Sequence, residues 1–170
     1  MKFYKPTSKS RRSMTGINYR EFLTTSKPHK ALVSGGKRDQ GRNNYGRITV
    51  RHQGGGHKRL FRDVDFRYNK FDIPARIASV EYDPDRSGFI GLAVYKDGEK
   101  RYVLLPLGVK VGHTFLVSEK APVLPANRLP LRAIPVDTFV YNVSLKPGGK
   151  ALLARSAGKR CMENRPHVYR

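Results

Sequence analysis

With a single cysteine, Cys161, the chain can form no internal disulfide framework and no zinc site built on cysteines. Long apolar runs are missing too. None approaches the roughly 18 residues of a membrane-spanning helix, and the N-terminus lacks the apolar centre of a secretory signal. Acids are scarce: 13 Asp and Glu stand against 34 Lys and Arg, a formal net charge of +21 over 170 residues. Self-repulsion of that size strains a compact fold, so a polyanion is the expected counterweight. The shortage is uneven. Residues 1–70 hold 18 basic and 4 acidic residues (+14), 71–130 hold 8 and 7 (+1), and 131–170 hold 8 and 2 (+6). A nearly neutral middle lies between basic flanks. No stretch sustains the apolar periodicity of an ordinary helix, which leaves an all-β chain.

Residues 1–59 read as an extended basic arm. "KPTSKSRRS" (Lys5–Ser13) and "SGGKRDQGRNNYGR" (Ser34–Arg47) have turn residues and no apolar stripe, while "YREFLTTS" (Tyr19–Ser26) allows about one helical turn. Such an arm buries too little apolar surface to offset its ordering entropy, so alone it is expected to be disordered. Residues 60–125 differ. Short β-rich runs lie at Leu60–Arg67, Ala75–Tyr82, Phe89–Tyr95, Arg101–Pro106 and Thr114–Ser118. They predict a small, closed, mostly antiparallel barrel. Asp97–Gly98 between two runs signals a two-residue hairpin with a type I′ turn. From 126 to 170 the pattern restarts as a second β unit with room for two or three strands, marginal on its own.

The stretch "GRNNYGRITVRHQGGGHKR" (Gly41–Arg59) has five arginines and lysines, two histidines and no acid. It is not a phosphate loop of the nucleotide-binding kind: Gly54–Lys58 lacks the spacing and the following Ser or Thr. A plain linker would be rich in Gly and Ser but hardly so cationic. The remaining reading is an arm that threads along nucleic acid. Gly54, Gly55 and Gly56 let the main chain approach phosphates. Arg42, Arg47, Arg51, Lys58 and Arg59 neutralise charge, and Asn43 and Asn44 can bond base edges or 2′-hydroxyls. His52 and His57 can stack or donate. Arg11, Arg12 and Arg38 extend the cationic set, and Arg86 joins it from the Asp83–Gly88 turn.

As metal ligands His52 and His57 carry little weight, five apart with the other histidines scattered. Weighed for catalysis, Asp63 with Asp65 reads as facing solvent or local arginines, and Asp83 with Asp85 as ordinary turn chemistry. No nucleophile–base constellation stands out, so neither an enzyme nor a cofactor is expected.

Three segments carry a resemblance: "SGGKRDQGRNNYGRITVRHQGGGHKR", "EYDPDRSGFIGLAVYKDGEKRYVLLP" and "LPLRAIPVDTFVYNVSLKPGGKALLARSAG". Together with "YKPTSKSRR" (Tyr4–Arg12) they resemble the bacterial-type large-subunit ribosomal protein family numbered two, from Tyr4 to Gly158. The resemblance implies an arm, an OB-fold barrel and the start of an SH3-like barrel, bound to large-subunit rRNA beside neighbouring ribosomal proteins. It implies a ribosomal location, in a bacterial cytoplasm or in a mitochondrion or plastid that makes the chain itself. Arg155 and Ser156 match the family's RNA-facing turn. Two departures stand out. Lys37–Gly41 is an insertion relative to the family. "KRCMENRPHVYR" (Lys159–Arg170) does not match the continuation of the second barrel or the segment that lies toward the peptidyl-transferase region. The expectation is therefore a truncated or split N-terminal portion, completed by a second chain where one exists. The competing reading is a free-standing OB-fold protein that binds single-stranded nucleic acid. A metal-dependent RNA-processing enzyme would need clustered carboxylates with a histidine, which the sequence does not offer.

Overall fold

The computed structural model describes residues 1–36 and 40–162, and it is all-β with only single-turn helices. In chain order the strands are β1 (Lys2–Phe3), β2 (Thr15–Gly16), β3 (Val33–Gly35), β4 (Leu60–Arg62), β5 (Ala75–Glu81), β6 (Ile90–Tyr95), β7 (Lys100–Leu104), β8 (Thr114–Phe115), β9 (Phe139–Val140), β10 (Val143–Ser144), β11 (Ala151–Leu153) and β12 (Cys161–Met162). Helices α1 (Lys9–Arg12) and α2 (Tyr19–Phe22) have four residues each and bury none, as the missing apolar stripe predicts. No helix among the described residues is long and apolar enough to cross a membrane.

The centre is a four-stranded antiparallel sheet in the order β7-β6-β5-β8, curled into a half-barrel. Four of the five predicted runs are its strands. The fifth is shorter than expected. β4 stops at Arg62, and Val64 then meets β7 through one parallel bridge to Tyr102. Among the described residues no ladder joins β7 to β8, and the curled half-barrel is consistent with the all-β barrel expected from strand count.

The sheet is buried on both faces, which explains why β6 is apolar almost throughout. One face packs Ala75, Ile77, Ala93, Tyr95, Val103 and Phe115 into the curl. The other packs Ile90, Leu92, Tyr102 and Leu104 with Val64, covered by Leu32, Phe66 and Tyr141. Ile77 and Ile90 are fully buried, and each contributes about 1.5–3 kcal/mol. A bulge between Ile77 and Ser79 shifts the register of β5. Beyond it Glu81 meets the second face, where the Tyr102 hydroxyl (2.6 Å) and the Ser79 hydroxyl (2.8 Å) donate to its carboxylate. Burial, then the Glu81 bond, pushes the Tyr102 phenol up to about 12.

The hairpin at Asp97–Gly98 forms, but with a different turn. Gly98 N–H donates to Tyr95 and Tyr95 N–H to Glu99, and of the turn residues Gly98 alone has positive φ, +87°. This is a type I turn closed by a glycine bulge. Asp97 keeps negative φ because Tyr95 and Glu99 close a loop of three residues, Lys96–Gly98, in which only the last needs the left-handed region.

The arm is not uniformly loose. Residues 1–16 bond only among themselves among the described residues, through the β1–β2 ladder and α1. Residues 19–35 instead dock on the barrel. Thr24 N–H and hydroxyl both donate to Val80 O, Val80 N–H donates back to the Thr24 hydroxyl (2.9 Å), and His29 N–H donates to the Tyr102 hydroxyl (2.7 Å). Tyr19 and Phe22 lie edge-on or tilted against Tyr82 and Phe89. β3 pairs with β4 across the whole intervening loop.

Among the described residues the second unit has four short strands where two or three were expected, in two ladders, β9–β12 and β10–β11. It is stitched to the first. Ala151 N–H donates to Phe66 O (2.8 Å), and the buried Asn142 amide donates to the Tyr68 hydroxyl (3.2 Å). Residues 163–170, the rest of the expected divergent tail, lie outside the described residues.

Candidate nucleic-acid interface

Gly41–Arg51 is a preformed loop. The Asn43 carbonyl side chain (Oδ1) accepts from Tyr45 N–H (3.1 Å) and Arg47 N–H (2.9 Å), Asn43 N–H donates to Arg47 O, and Arg42 bridges to Ile48. Thr49 and Val50 N–H converge on Gly41 O. Gly41 has φ +70°, and a Cβ there would sit 2.3 Å from Val50 O, so only glycine fits. Asn43, expected to read base edges, thus spends its oxygen on the turn. Asn44 and the cations Arg42, Arg47 and Arg51 stay exposed.

Beyond the loop His52 takes φ +60° and turns the chain into the three glycines. Gly54 and Gly56 line a shallow concavity with Gln40 and Gln53. The N–H groups of Gly54, Gly55 and Gly56 donate to no backbone acceptor among the described residues. Exposed main-chain donors beside cations are what an oxyanion of phosphate requires. His57 is exposed, with its ring Nδ1 2.9 Å from Lys58 O.

A second group of predicted residues meets at the Asp83–Gly88 loop. Arg59 lies 3.6 Å from Asp85. Arg86 is mostly buried and pairs with Asp83, which has no exposed surface and also accepts from Asp85 N–H (3.0 Å). Two guanidiniums lie over the Phe66 ring, Arg86 at 5.3 Å and Arg155 at 4.7 Å. Ala157 N–H donates to the Ser87 hydroxyl (3.1 Å), which seats the Arg155–Gly158 turn against this loop with Arg155 and Ser156 exposed. Phe66 was not among the residues singled out from sequence, and Asp83 was read there only as a turn former. The Asp-x-x-Arg spacing of Asp83 and Arg86 is the one signal that could have found the pair.

Arg11 and Arg12 stand apart on exposed α1, with Arg11 5.7 Å over the Tyr4 ring. No described hydrogen bond or ion pair ties them to residues 40–59. Arg38 lies outside the described residues.

The electrostatic pattern separates two kinds of cation. On the barrel, Lys70 bonds Asp97 and Glu99, and this holds both carboxyls below their usual range. Arg101 reaches Asp65 (2.8 Å) and Glu99 (2.6 Å). Asp65 further accepts from Arg67 and Tyr68 N–H, so that carboxylate is occupied in holding a turn. On the loop, Arg42, Arg47, Arg51 and Lys58 have no carboxylate within ion-pair distance among the described residues. No group of three or more His, Cys, Asp or Glu among the described residues is placed to hold a metal ion.

A family model described as Ribosomal Proteins L2, RNA binding N-terminal domain, matches residues 29–117. The match spans the docked β3 segment, the Gly41–Arg59 loop and the barrel through β8.

Proposed function

This chain belongs to the ribosomal protein L2 family through that RNA-binding N-terminal domain, and from this we propose that it is a structural constituent of the large ribosomal subunit. In this reading it binds and stabilises large-subunit rRNA during assembly and translation, in a bacterial or organellar ribosome, beside neighbouring ribosomal proteins. A second chain completing the β9–β12 unit belongs to the same proposal.

One observation supports it most directly. Four of the five cations of the acid-free Gly41–Arg59 stretch, Arg42, Arg47, Arg51 and Lys58, stand beside glycine N–H groups that meet no backbone acceptor, and none of the four has a carboxylate partner among the described residues. The loop is built to meet anions from outside. Arg42, Asn44, Arg47, Arg51, His52, Gly54, Gly55, Gly56, His57, Lys58 and Arg59 would line the RNA, with Arg155 and Ser156 beside them. Arg11 and Arg12 would grip a separate stretch.

Sedimentation tests the reading. After a moderate-salt wash the protein should stay in the large-subunit peak of a gradient. Recovery in the top fractions would favour a free single-strand-binding protein instead.

A further inference from the structure

The tip of the Gly41–Arg51 loop presents a tyrosine that the fold does not use. Tyr45 is 83 % exposed. Its ring takes part in none of the aromatic pairs or cation–π contacts among the described residues. Yet its backbone is fixed, because Tyr45 N–H is held by Asn43 Oδ1 and the flanking Gly46 N–H by Asn43 O (3.0 Å). A floppy loop would let an exposed ring fold back onto apolar neighbours. This turn holds it out. Arg42 and Arg47 stand on the two limbs of the same turn, and no acid occurs between Gly41 and Arg59.

A rigidly displayed ring between cations that have no carboxylate partner among the described residues suits one ligand chemistry. An aromatic face stacks on a nucleobase whatever its identity, and cations on either side neutralise the phosphates flanking that base. A duplex would hide its base faces, so the base must be unstacked. We propose that Tyr45 is a base-stacking residue that receives an unpaired nucleotide of the bound RNA. The proposal rests on the RNA-binding reading above and assigns it a contact beyond charge and main chain.

The test uses the full chain with large-subunit rRNA purified from the same cells. Tyr45→Ala and Tyr45→Leu should each weaken binding roughly five- to a hundredfold. Tyr45→Phe, which keeps the ring, should restore most of that affinity. The salt slope should not change, since no phosphate contact is removed. p-Azidophenylalanine at position 45 should crosslink to an unpaired nucleotide, mapped by reverse-transcription stops. Leucine binding as well as tyrosine, or a crosslink to a polypeptide in the assembled particle, would overturn the proposal while leaving RNA binding intact. Wild-type protein that shows no salt-sensitive rRNA binding would instead overturn the reading beneath it. Thermal unfolding of each variant should match the wild type, because the ring buries so little.

Discussion

Arg86 shows how one side chain's role turns on its partner. As a cation in a turn it reads as an RNA contact, but the structure sets it against Asp83, which has no exposed surface. Removing one member of such a pair strands a buried charge. Arg86→Ala should therefore cost about 3–5 kcal/mol in a denaturant titration. Arg155→Ala, which removes only an exposed stack on Phe66, should cost about 1 kcal/mol or less. Equal, small effects for both would mean that Arg86 is not a fold residue. Asn43 makes the same point from the polar side, since its oxygen caps a turn. Composition shows that a residue is cationic or amide-bearing. It does not show whether a carboxylate or an N–H from 2–4 residues along the chain already claims that group. The glycine-rich, acid-free character of Gly41–Arg59 was plain in the sequence; the division of labour within it was not.

Among elements, the legible ones are those with a local signature. β5, β6 and β7 follow from alternating or continuous apolar runs bounded by turn residues, and their observed bounds fall within a residue or two of expectation. The docking of residues 19–35 was not legible, because it rests on long-range hydrogen bonds: Thr24 to Val80, and His29 to Tyr102. Nothing in "TTSKPH" announces a partner more than fifty residues away. The type I′ expectation failed for a local reason instead, since Tyr95 and Glu99 close a loop of three residues and not two. The arm therefore splits in its dynamics. In RNA-free protein, amide exchange should be slow at Thr24 and along β3 and fast over residues 1–16. Thr24→Val removes the hydroxyl that Val80 N–H donates to, and should cost about 1–3 kcal/mol while releasing the protection of β3. If wild-type residues 19–35 exchange as freely as 1–16, the docking exists only on RNA.

For the whole molecule, the question is why a chain of net charge +21 should fold at all. Only Arg59, Lys70, Arg86, Arg101 and Arg132 among the described basic residues lie within reach of a carboxylate, and the Arg132–Glu119 pair is almost fully exposed. Three of the five surround the β5–β6–β7 hairpins, so acids and bases cancel where the chain must pack, and the surplus is displaced onto the arm, the loop and residues 131–170. That separation lets the core form without RNA while the repulsion waits for a polyanion. It also fixes a number. With roughly 6–10 phosphate contacts, affinity should fall by about 10³–10⁵ between 50 and 200 mM salt. Replacing Arg42, Arg47, Arg51 and Lys58 together by alanine should reduce the slope of log K against log salt by about 3, at roughly 0.7–0.9 for each phosphate no longer neutralised. The same four changes should leave the unfolding midpoint at or slightly above that of the wild type, because none of these cations has an ion-pair partner among the described residues. A slope that stays put would mean that the loop's charges face solvent in the complex. A midpoint that collapses would mean that they hold the fold through interactions other than ion pairs.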